Sequence, residues 1–208
     1  MTKSNKKTIN EVNLRAQLLQ IHNQLRKEMA KDWKRVLPFE ELLFDRWEKA
    51  NFLKAKKGSS IYHNNYTYGK VKIGKKTWIG PYTLLDGSGG TLEIGDYCSI
   101  SSGVQIYTHQ TVKWALTGGK ASYEKNKTTI GDFCYLGPYS IVTMGVKIGK
   151  CSVIGAHSLV NRDIPAYSIA FGIPAKVVGE VKIKGRDVKF HYFKKSDNDT
   201  EGSSSHLQ

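Results

Sequence analysis

Residues 130–160 read IGDFCYLGPYSIVTMGVKIGKCSVIGAHSLV, with an aliphatic residue at every sixth position. The same spacing extends back to residue 73 with two interruptions. The twelve aliphatic positions are Ile73, Ile79, Leu85, Ile94, Ile100, Ile106, Ile130, Leu136, Val142, Ile148, Ile154 and Val160. A six-residue period does not fit an amphipathic helix, whose apolar residues recur every 3.6 residues. From about Val71 to Val178 the sequence therefore predicts a repeat architecture.

Two other positions of the repeat are also restricted. The residue after the aliphatic one is often glycine, which tolerates tight corners: Gly74, Gly80, Gly95, Gly131, Gly137, Gly149 and Gly155. The fifth position is small or β-branched, as expected where side chains crowd inward: Thr77, Thr83, Cys98, Val104, Cys134, Ser140, Val146, Ser152 and Ser158. Cys98 and Cys134 are therefore expected to fill the core rather than to act as nucleophiles.

Length and composition exclude several classes of protein. The 208 residues suit one main domain, and 39% hydrophobic with 24% charged residues fits neither a fully disordered nor a membrane-spanning chain. The start, residues 1–10, is polar and lysine-rich, so no secretory signal is expected and the predicted location is the cytoplasm. The three cysteines form no CxxC pair, which argues against a disulfide framework or a zinc ribbon.

The formal charge of +14 favours anionic partners. Residues 1–57 alone carry 14 basic and 7 acidic side chains. The sequence has no zinc-finger spacing, no RNP motif and no basic region followed by heptads, so no nucleic-acid partner is predicted. A solvated basic surface and peripheral association with anionic lipid through the basic N-terminal segment both stay open.

Three zones follow from these patterns. Residues 1–57 form an N-terminal helical segment, with one amphipathic helix through Leu14, Leu18, Ile21 and Leu25 and a second helix after Pro38. Residues 58–178 form the repeat domain. Residues 179–208 form a C-terminal extension whose end, beyond Lys195, is predicted to be a disordered tail.

These repeats resemble those of the hexapeptide-repeat acyltransferases, and most closely the maltose, galactoside and lipopolysaccharide O-acetyltransferases. The resemblance covers about half of the chain and implies a mainly β fold, a left-handed parallel β-helix, with the N-terminal helices capping its first coil. It also implies a homotrimer with active sites in the clefts between subunits. Related trimeric carbonic anhydrases bind zinc through three histidines, but this chain lacks a close histidine pair, so no metal is expected.

The repeat breaks between Ile106 and Ile130, and the 24-residue gap is interpreted as one full coil plus an excursion. A loop leaving a regular rod is where function is usually placed. In the resembled family a histidine beside such a loop is the general base, and His109 stands at the matching position. An imidazole suits this task because it can take a proton near neutral pH.

Two further residues are candidate contacts for the acceptor substrate. Asp86, in a glycine-rich break one coil before His109, has three open interpretations: it holds the acceptor, it orients the imidazole, or it stabilises a turn. Trp114 lies in the excursion itself.

The resemblance also implies that the chain binds acetyl-CoA. Positions matching Pro138 and Ala156 contact the pantetheine arm, and those matching Asn161 and Arg162 meet the nucleotide end. Arg162 and Lys176 are expected to neutralise phosphates. Relatives often have a basic residue shortly after the GxPAK segment, where this chain has Gly179-Glu180. Two alternatives stay open: the 3′-phosphate is bound by Lys182, Lys184 or Arg186 instead, or it is bound more weakly.

The sequence thus predicts an acetyl-CoA-dependent acetyltransferase that acts on a sugar hydroxyl of a glycan or glycan precursor. Two alternatives stay open. The first is N-acetylation of a nucleotide-linked amino sugar. The second, more distant, is a non-catalytic scaffold that binds a polyanion.

Overall fold

The computed structural model describes residues 11–194. The described helices are α1 (Glu11–Trp33), α2 (Phe39–Leu43), α3 (Arg46–Phe52) and α4 (Val112–Leu116). The described strands are β1 (Ser60–Ile61), β2 (Tyr66–Ile73), β3 (Trp78–Ile79), β4 (Leu84–Ile94), β5 (Ser99–Ile100), β6 (Gln105–Ile106), β7 (His109–Gln110), β8 (Glu124–Lys125), β9 (Thr128–Ile130), β10 (Tyr135–Leu136), β11 (Ile141–Val142), β12 (Lys147–Ile148), β13 (Val153–Ile154), β14 (Leu159–Val160), β15 (Ser168–Gly172), β16 (Ala175–Lys184) and β17 (Asp187–Tyr192).

The strands stack in parallel as a rod with three faces, so the predicted left-handed parallel β-helix is confirmed. Face 1 consists of β1, β3, β5, β10, β13 and β15. Face 2 contains the first halves of β2 and β4 with β6, β11 and β14. Face 3 contains the second halves of β2 and β4 with β9 and β12. We call the turns after faces 1, 2 and 3 the first, second and third corners.

The core consists mainly of the aliphatic residues that the sequence repeats at every sixth position. All twelve repeat positions are buried, with exposures of 4% or less. Each lies directly above its equivalent in the next coil; Ile79, for example, pairs with Ile100 and Ile100 with Leu136. The nine small residues at the fifth position are also buried, including Cys98 and Cys134, as the crowding of inward side chains predicts.

The interpretation of the break after Ile106 as an inserted coil is wrong. Ile106 pairs with Leu85 and Val142 on face 2, while Ile130 pairs with Ile94 on face 3. Ile106 and Ile130 therefore belong to the same coil, and residues 107–127 are an excursion from one corner with no added coil. The sequence does not show this, because the excursion adds 18 residues to the usual spacing of six, and 18 is a multiple of six.

The N-terminal helices differ from prediction in one respect. Helix α1 is confirmed, but the segment after Pro38 forms two short helices. The extended backbone at Phe44 ends α2, and Asp45 caps α3 by accepting a hydrogen bond from Trp47 N–H at 2.8 Å. The cap on the first coil is α3, whose Ala50 is buried in the core. Its Lys49 ammonium donates to three backbone carbonyls, of Tyr62, His63 and Asn65.

The C-terminal part folds back on face 1. Strands β15, β16 and β17 form an antiparallel meander, so β16 runs through the boundary predicted at residue 178. The predicted tail beyond Lys195 lies outside the described residues. Of the helices in residues 11–194, none has both the length and the apolar character needed to cross a membrane.

Candidate active site

The candidate active site lies at the second corner, where the excursion leaves the rod. Residues 107–127 form a small lobe in which β7 and β8 pair antiparallel and α4 lies between them. The register places His109 opposite Lys125, and the Asn126 amide donates to the Thr108 carbonyl at 2.9 Å. These bonds fix the base of the lobe, so His109 sits on an ordered strand although it lies in an excursion.

Asp86 lies one coil below and contacts His109 directly. The Nδ1 atom of His109 is 2.6 Å from Oδ2 of Asp86. The Asp86 side chain is 3% exposed and that of His109 is 30% exposed. Of the three interpretations left open for Asp86, contacts in the structure match two: Oδ2 faces the imidazole, as in an aspartate that orients it, and Oδ1 accepts from the Ser88 amide of the following turn.

The surroundings of Asp86 favour its ionised form. Burial raises its pKa, but hydrogen bonds from the Ser88 hydroxyl, the Ser88 and Thr108 amides and His109 together hold the pKa below its usual value. A carboxylate at this position can only accept hydrogen bonds. The Nδ1 atom of His109 must therefore carry the proton between them, which leaves Nε2 as the free basic atom.

Gly89 allows the two coils to approach each other at this corner. A Cβ at Gly89 would collide with the Cβ of His109 and with the carbonyl oxygen of Thr108. The Gly89 amide instead donates to the Thr108 hydroxyl at 3.0 Å. The glycine-rich break after Asp86 thus has a specific role, because it lets β4 pass under the histidine.

Two aromatic side chains, those of Tyr123 and Trp114, lie on one side of the imidazole. The Tyr123 ring stacks on His109 with centroids 6.3 Å apart, and the predicted Trp114 meets Tyr123 edge to face at 5.7 Å. Lys120 and Lys125 line the same open pocket. Sequence reasoning missed Tyr123 and Ser88, since neither belongs to a repeat; their closeness to His109 depends on β7–β8 pairing and on the turn after Asp86.

The predicted cofactor residues fall at two corners. Pro138 and Ala156 occupy the first corner on successive coils, where the His157 amide donates to the Pro138 carbonyl at 2.9 Å. The Gly172 amide donates to the Ser158 hydroxyl at 3.2 Å, which brings the start of the β15–β16 turn to the same corner. The predicted Lys176 follows four residues after Gly172.

Asn161 and Arg162 lie at the second corner, which also holds His109, but two coils further along the rod. Both are exposed. Coils are about 4.8 Å apart, so the two coils correspond to about 10 Å. One chain therefore brings together Asp86, His109 and Trp114, and it does not bring Pro138 or Ala156 to them.

Comparisons with known proteins agree with this fold. A family model described as bacterial transferase hexapeptide (six repeats) matches residues 127–162. The chain is 30% identical over 142 residues to a galactoside O-acetyltransferase of Escherichia coli K12. The alignment covers 59% of this chain and 68% of that relative. Other curated relatives are matched over 33% and 55% of their own length.

Two solved structures share the architecture. A hexapeptide-repeat acetyltransferase of Vibrio cholerae O1 biovar eltor, complexed with acetyl coenzyme A, is similar with a TM-score of 0.57 and 21% identity, covering 87% of this chain and 94% of that one. A maltose O-acetyltransferase from Clostridium difficile 630 has a TM-score of 0.55 and 23% identity, covering 80% of this chain and 89% of that one. At these identities the likeness concerns the fold.

Proposed function

This chain belongs to the hexapeptide-repeat acetyltransferases, and from that premise we propose that it transfers an acetyl group from acetyl-CoA to a sugar hydroxyl of a glycan or glycan precursor. The observation that carries the proposal is the pairing of His109 with the buried carboxylate of Asp86. The pair supplies an oriented general base beside an open, aromatic-lined pocket.

His109 acts through Nε2. The hydroxyl proton of the acceptor passes to this nitrogen as the oxygen attacks the thioester carbonyl carbon, and Asp86 stabilises the imidazolium that forms. When the tetrahedral intermediate collapses, the carbon–sulfur bond breaks, the acetyl ester remains on the acceptor, and the departing CoA sulfur takes the proton from His109. Backbone N–H groups are proposed to stabilise the oxyanion.

Trp114 and Tyr123 are proposed to hold the acceptor. The two rings meet edge to face, 84° apart, and form a corner beside the imidazole. The apolar faces of a sugar ring pack well on aromatic rings, while its hydroxyls need polar partners. Lys120 and Lys125 supply donors at the rim of this pocket.

Acetyl-CoA is proposed to lie along the rod. The exposed first corner at Ala156 lets the thin pantetheine arm approach backbone groups of Pro138 and Ala156. Asn161, Arg162 and Lys176, all exposed, are proposed to meet the nucleotide and its phosphates. These assignments come from the positions that match the family motif.

A homotrimer is proposed because one chain separates these groups. The outward column of face 2 contains the apolar side chains of Leu84, Ile141 and Leu159, with Gln105 between the first two. Face 3 presents charged residues such as Lys72 and Glu93. Three copies packed through face 2 around a common axis place the first corner of each copy beside the second corner of its neighbour. The pantetheine contacts of one subunit then reach His109 of another.

The setting is proposed to be polysaccharide biosynthesis in the cytoplasm. All three cysteines are free thiols, which fits a reducing compartment. Peripheral membrane association through the basic N-terminal segment stays a prediction.

The experiment is an acetyl-transfer assay with purified protein, acetyl-CoA and a panel of neutral sugars, acidic sugars and nucleotide-linked amino sugars. We expect thiol release that depends on a sugar hydroxyl, with an O-acetyl ester in the product. An amide product with amino sugars would favour the N-acetyltransferase alternative, and no CoA binding by calorimetry would contradict both. Light scattering tests the trimer; an active monomer near 23 kDa would refute it.

A further inference from the structure

A column of exposed aromatic rings runs along the third corner, on the opposite side of face 3 from the corner that carries His109. We call Tyr97, Phe133 and Tyr167 the aromatic column; they belong to the second, third and fifth coils. Their exposures are 43%, 55% and 41%. The Tyr97 and Phe133 rings stack with centroids 5.5 Å apart and 16° between their planes.

The backbone at these positions disfavours aromatic residues. The φ angles are +54° at Tyr97, +60° at Phe133 and +61° at Tyr167, in the left-handed region where glycine and asparagine fit with least strain. The rings are not buried, so packing of the core does not explain them. The Tyr97–Phe133 stack offsets part of this backbone strain, and the exposed ring faces stay available to a ligand, which fits a function in binding.

Lysines flank the aromatic column at both ends. The Nζ atoms of Lys75 and Lys76 lie 5.8 Å and 5.5 Å from the Tyr97 ring centroid, and Nζ of Lys150 lies 5.7 Å from that of Tyr167. Lys57 is one coil earlier, where its carbonyl accepts a hydrogen bond from the Lys76 amide. The third corner therefore presents several cations next to ring faces.

Two aspartates share this corner, and both are engaged. Asp96 accepts the Lys75 amide hydrogen at 2.9 Å and lies 3.5 Å from the Lys75 ammonium. Asp132 accepts the Asp96 amide hydrogen at 2.7 Å. Both carboxylates keep their negative charge, but the four lysines at this corner outnumber the two aspartates, which leaves an excess of positive charge along the column.

We propose that the aromatic column and its lysines bind an anionic glycan chain that runs parallel to the rod. From Tyr97 to Tyr167 there are three coil steps of about 4.8 Å, or about 14 Å, which accommodates a short oligosaccharide. The C–H faces of its sugar rings pack on the aromatic faces, and its carboxylate or phosphate groups meet the lysines. The rings follow a line along one edge, which suits a linear chain better than the plane of a bilayer.

The surface is distinct from the catalytic pair. His109 lies at the second corner and the aromatic column at the third, with face 3 between them. Binding at the aromatic column does not require acetyl transfer. The glycan-binding proposal and the acetyltransferase proposal are therefore tested by independent measurements. A glycan held there keeps the enzyme on a polymeric acceptor while individual sugars reach the active site.

The test is the double variant Tyr97→Asn/Phe133→Asn. Asparagine tolerates the left-handed backbone, so the unfolding temperature should stay level or rise, and acetyl transfer to a small sugar should be unchanged. Tyr82→Asn is the matched control, because Tyr82 is 62% exposed with φ of +58° but lies at the first corner. The probes are a polygalacturonate oligosaccharide and its neutral methyl ester, measured by calorimetry.

We expect polygalacturonate to bind the wild-type protein, at least tenfold more weakly in the double variant, and with unchanged affinity in Tyr82→Asn. The neutral methyl ester should bind at least tenfold more weakly than the acid. Equal affinity of the double variant, equal affinity for the ester, or no binding to the wild type would overturn the proposal. So would a loss of binding to phosphatidylglycerol vesicles in the double variant while polygalacturonate binding is unaffected.

Discussion

The imidazole of His109 and the carboxylate of Asp86 are joined by a 2.6 Å contact between Nδ1 and Oδ2, across two successive coils of the rod. The residues are 23 positions apart, and they meet because β4 and β6 stack in register just before the corner. A buried carboxylate and a partly exposed imidazole form a pair with one free nitrogen. The first two predictions rest on this difference between the ring nitrogens: Nδ1 faces Asp86, and Nε2 is free to act as the base.

Replacing His109 with alanine should lower kcat by about 10² to 10⁴-fold, the range expected for the loss of a general base. The side chain is partly exposed and lies outside the core, so the unfolding temperature should change little. Acetyl-CoA affinity, measured by calorimetry, should be unaffected. A variant that retains wild-type kcat with the true acceptor would remove His109 from the mechanism.

Asp86→Asn should lower kcat by about 10² fold, because an amide no longer fixes the Nδ1–H tautomer or stabilises the imidazolium. The double variant Asp86→Asn/His109→Ala should be no slower than His109→Ala alone, since the aspartate acts through the histidine. A double variant that loses the product of the two single effects would show that Asp86 acts independently, for example on the acceptor.

Trp114→Ala and Tyr123→Ala should each raise KM for the sugar acceptor by about tenfold, because each removes one wall of the pocket beside His109. KM for acetyl-CoA should stay within about twofold. Leu116→Ala is the control, since Leu116 is 83% exposed on the same short helix as Trp114. If the control raises the acceptor KM equally, the effect belongs to the lobe as a whole and not to the two rings.

Much of the fold follows from the sequence because each coil repeats one local requirement. An aliphatic residue must point inward every six residues, and all twelve of the predicted ones do. The excursion could not be counted correctly, since residues 107–127 keep the register while adding no coil. Pairing of β7 with β8 in that lobe brings Tyr123 to His109. The six-residue periodicity of the sequence does not predict this contact.

The acceptor and cofactor residues illustrate a second limit. Asp86 and His109 are neighbours within one chain, so their pairing is visible in the fold. Pro138 and Ala156 lie at a different corner from His109, and in the proposed trimer a neighbouring copy would bring them to it. The repeat pattern of one chain predicts its own fold, but it does not predict contacts between copies of the chain.

Arg162→Ala and Lys176→Ala should raise KM for acetyl-CoA with little change in kcat, because phosphate contacts act equally in the ground state and the transition state. The effect should shrink at high salt, since exposed charges are screened over about 8 to 10 Å at ordinary ionic strength. Lys147→Ala on face 3 is the control. Unchanged CoA affinity in both variants at low salt would mean that other residues hold the phosphates.

Ser140 and Ser152 occupy the same fifth position of the hexapeptide, Ser140 at the first corner and Ser152 at the third, and both are fully buried. They differ in their hydrogen bonds: the Ser152 hydroxyl donates to the Pro165 carbonyl at 2.9 Å, whereas among residues 11–194 the Ser140 hydroxyl has no partner. A buried hydroxyl without a partner carries an uncompensated desolvation cost. Ser140→Ala should therefore leave the free energy of unfolding unchanged or raise it by up to about 1 kcal/mol.

Ser152→Ala is the matched comparison for Ser140→Ala and should lower the free energy of unfolding by about 1 to 2 kcal/mol, because it removes the buried hydroxyl that donates to the Pro165 carbonyl. Both substitutions remove one buried hydroxyl from the same position of the hexapeptide, at two different corners of the rod, so the difference between them reports mainly the hydrogen bond and not the change in volume. Urea unfolding of the two variants at one protein concentration measures that difference. Equal destabilisation by both would mean that Ser140 gains a hydrogen-bond partner in solution, such as an ordered water.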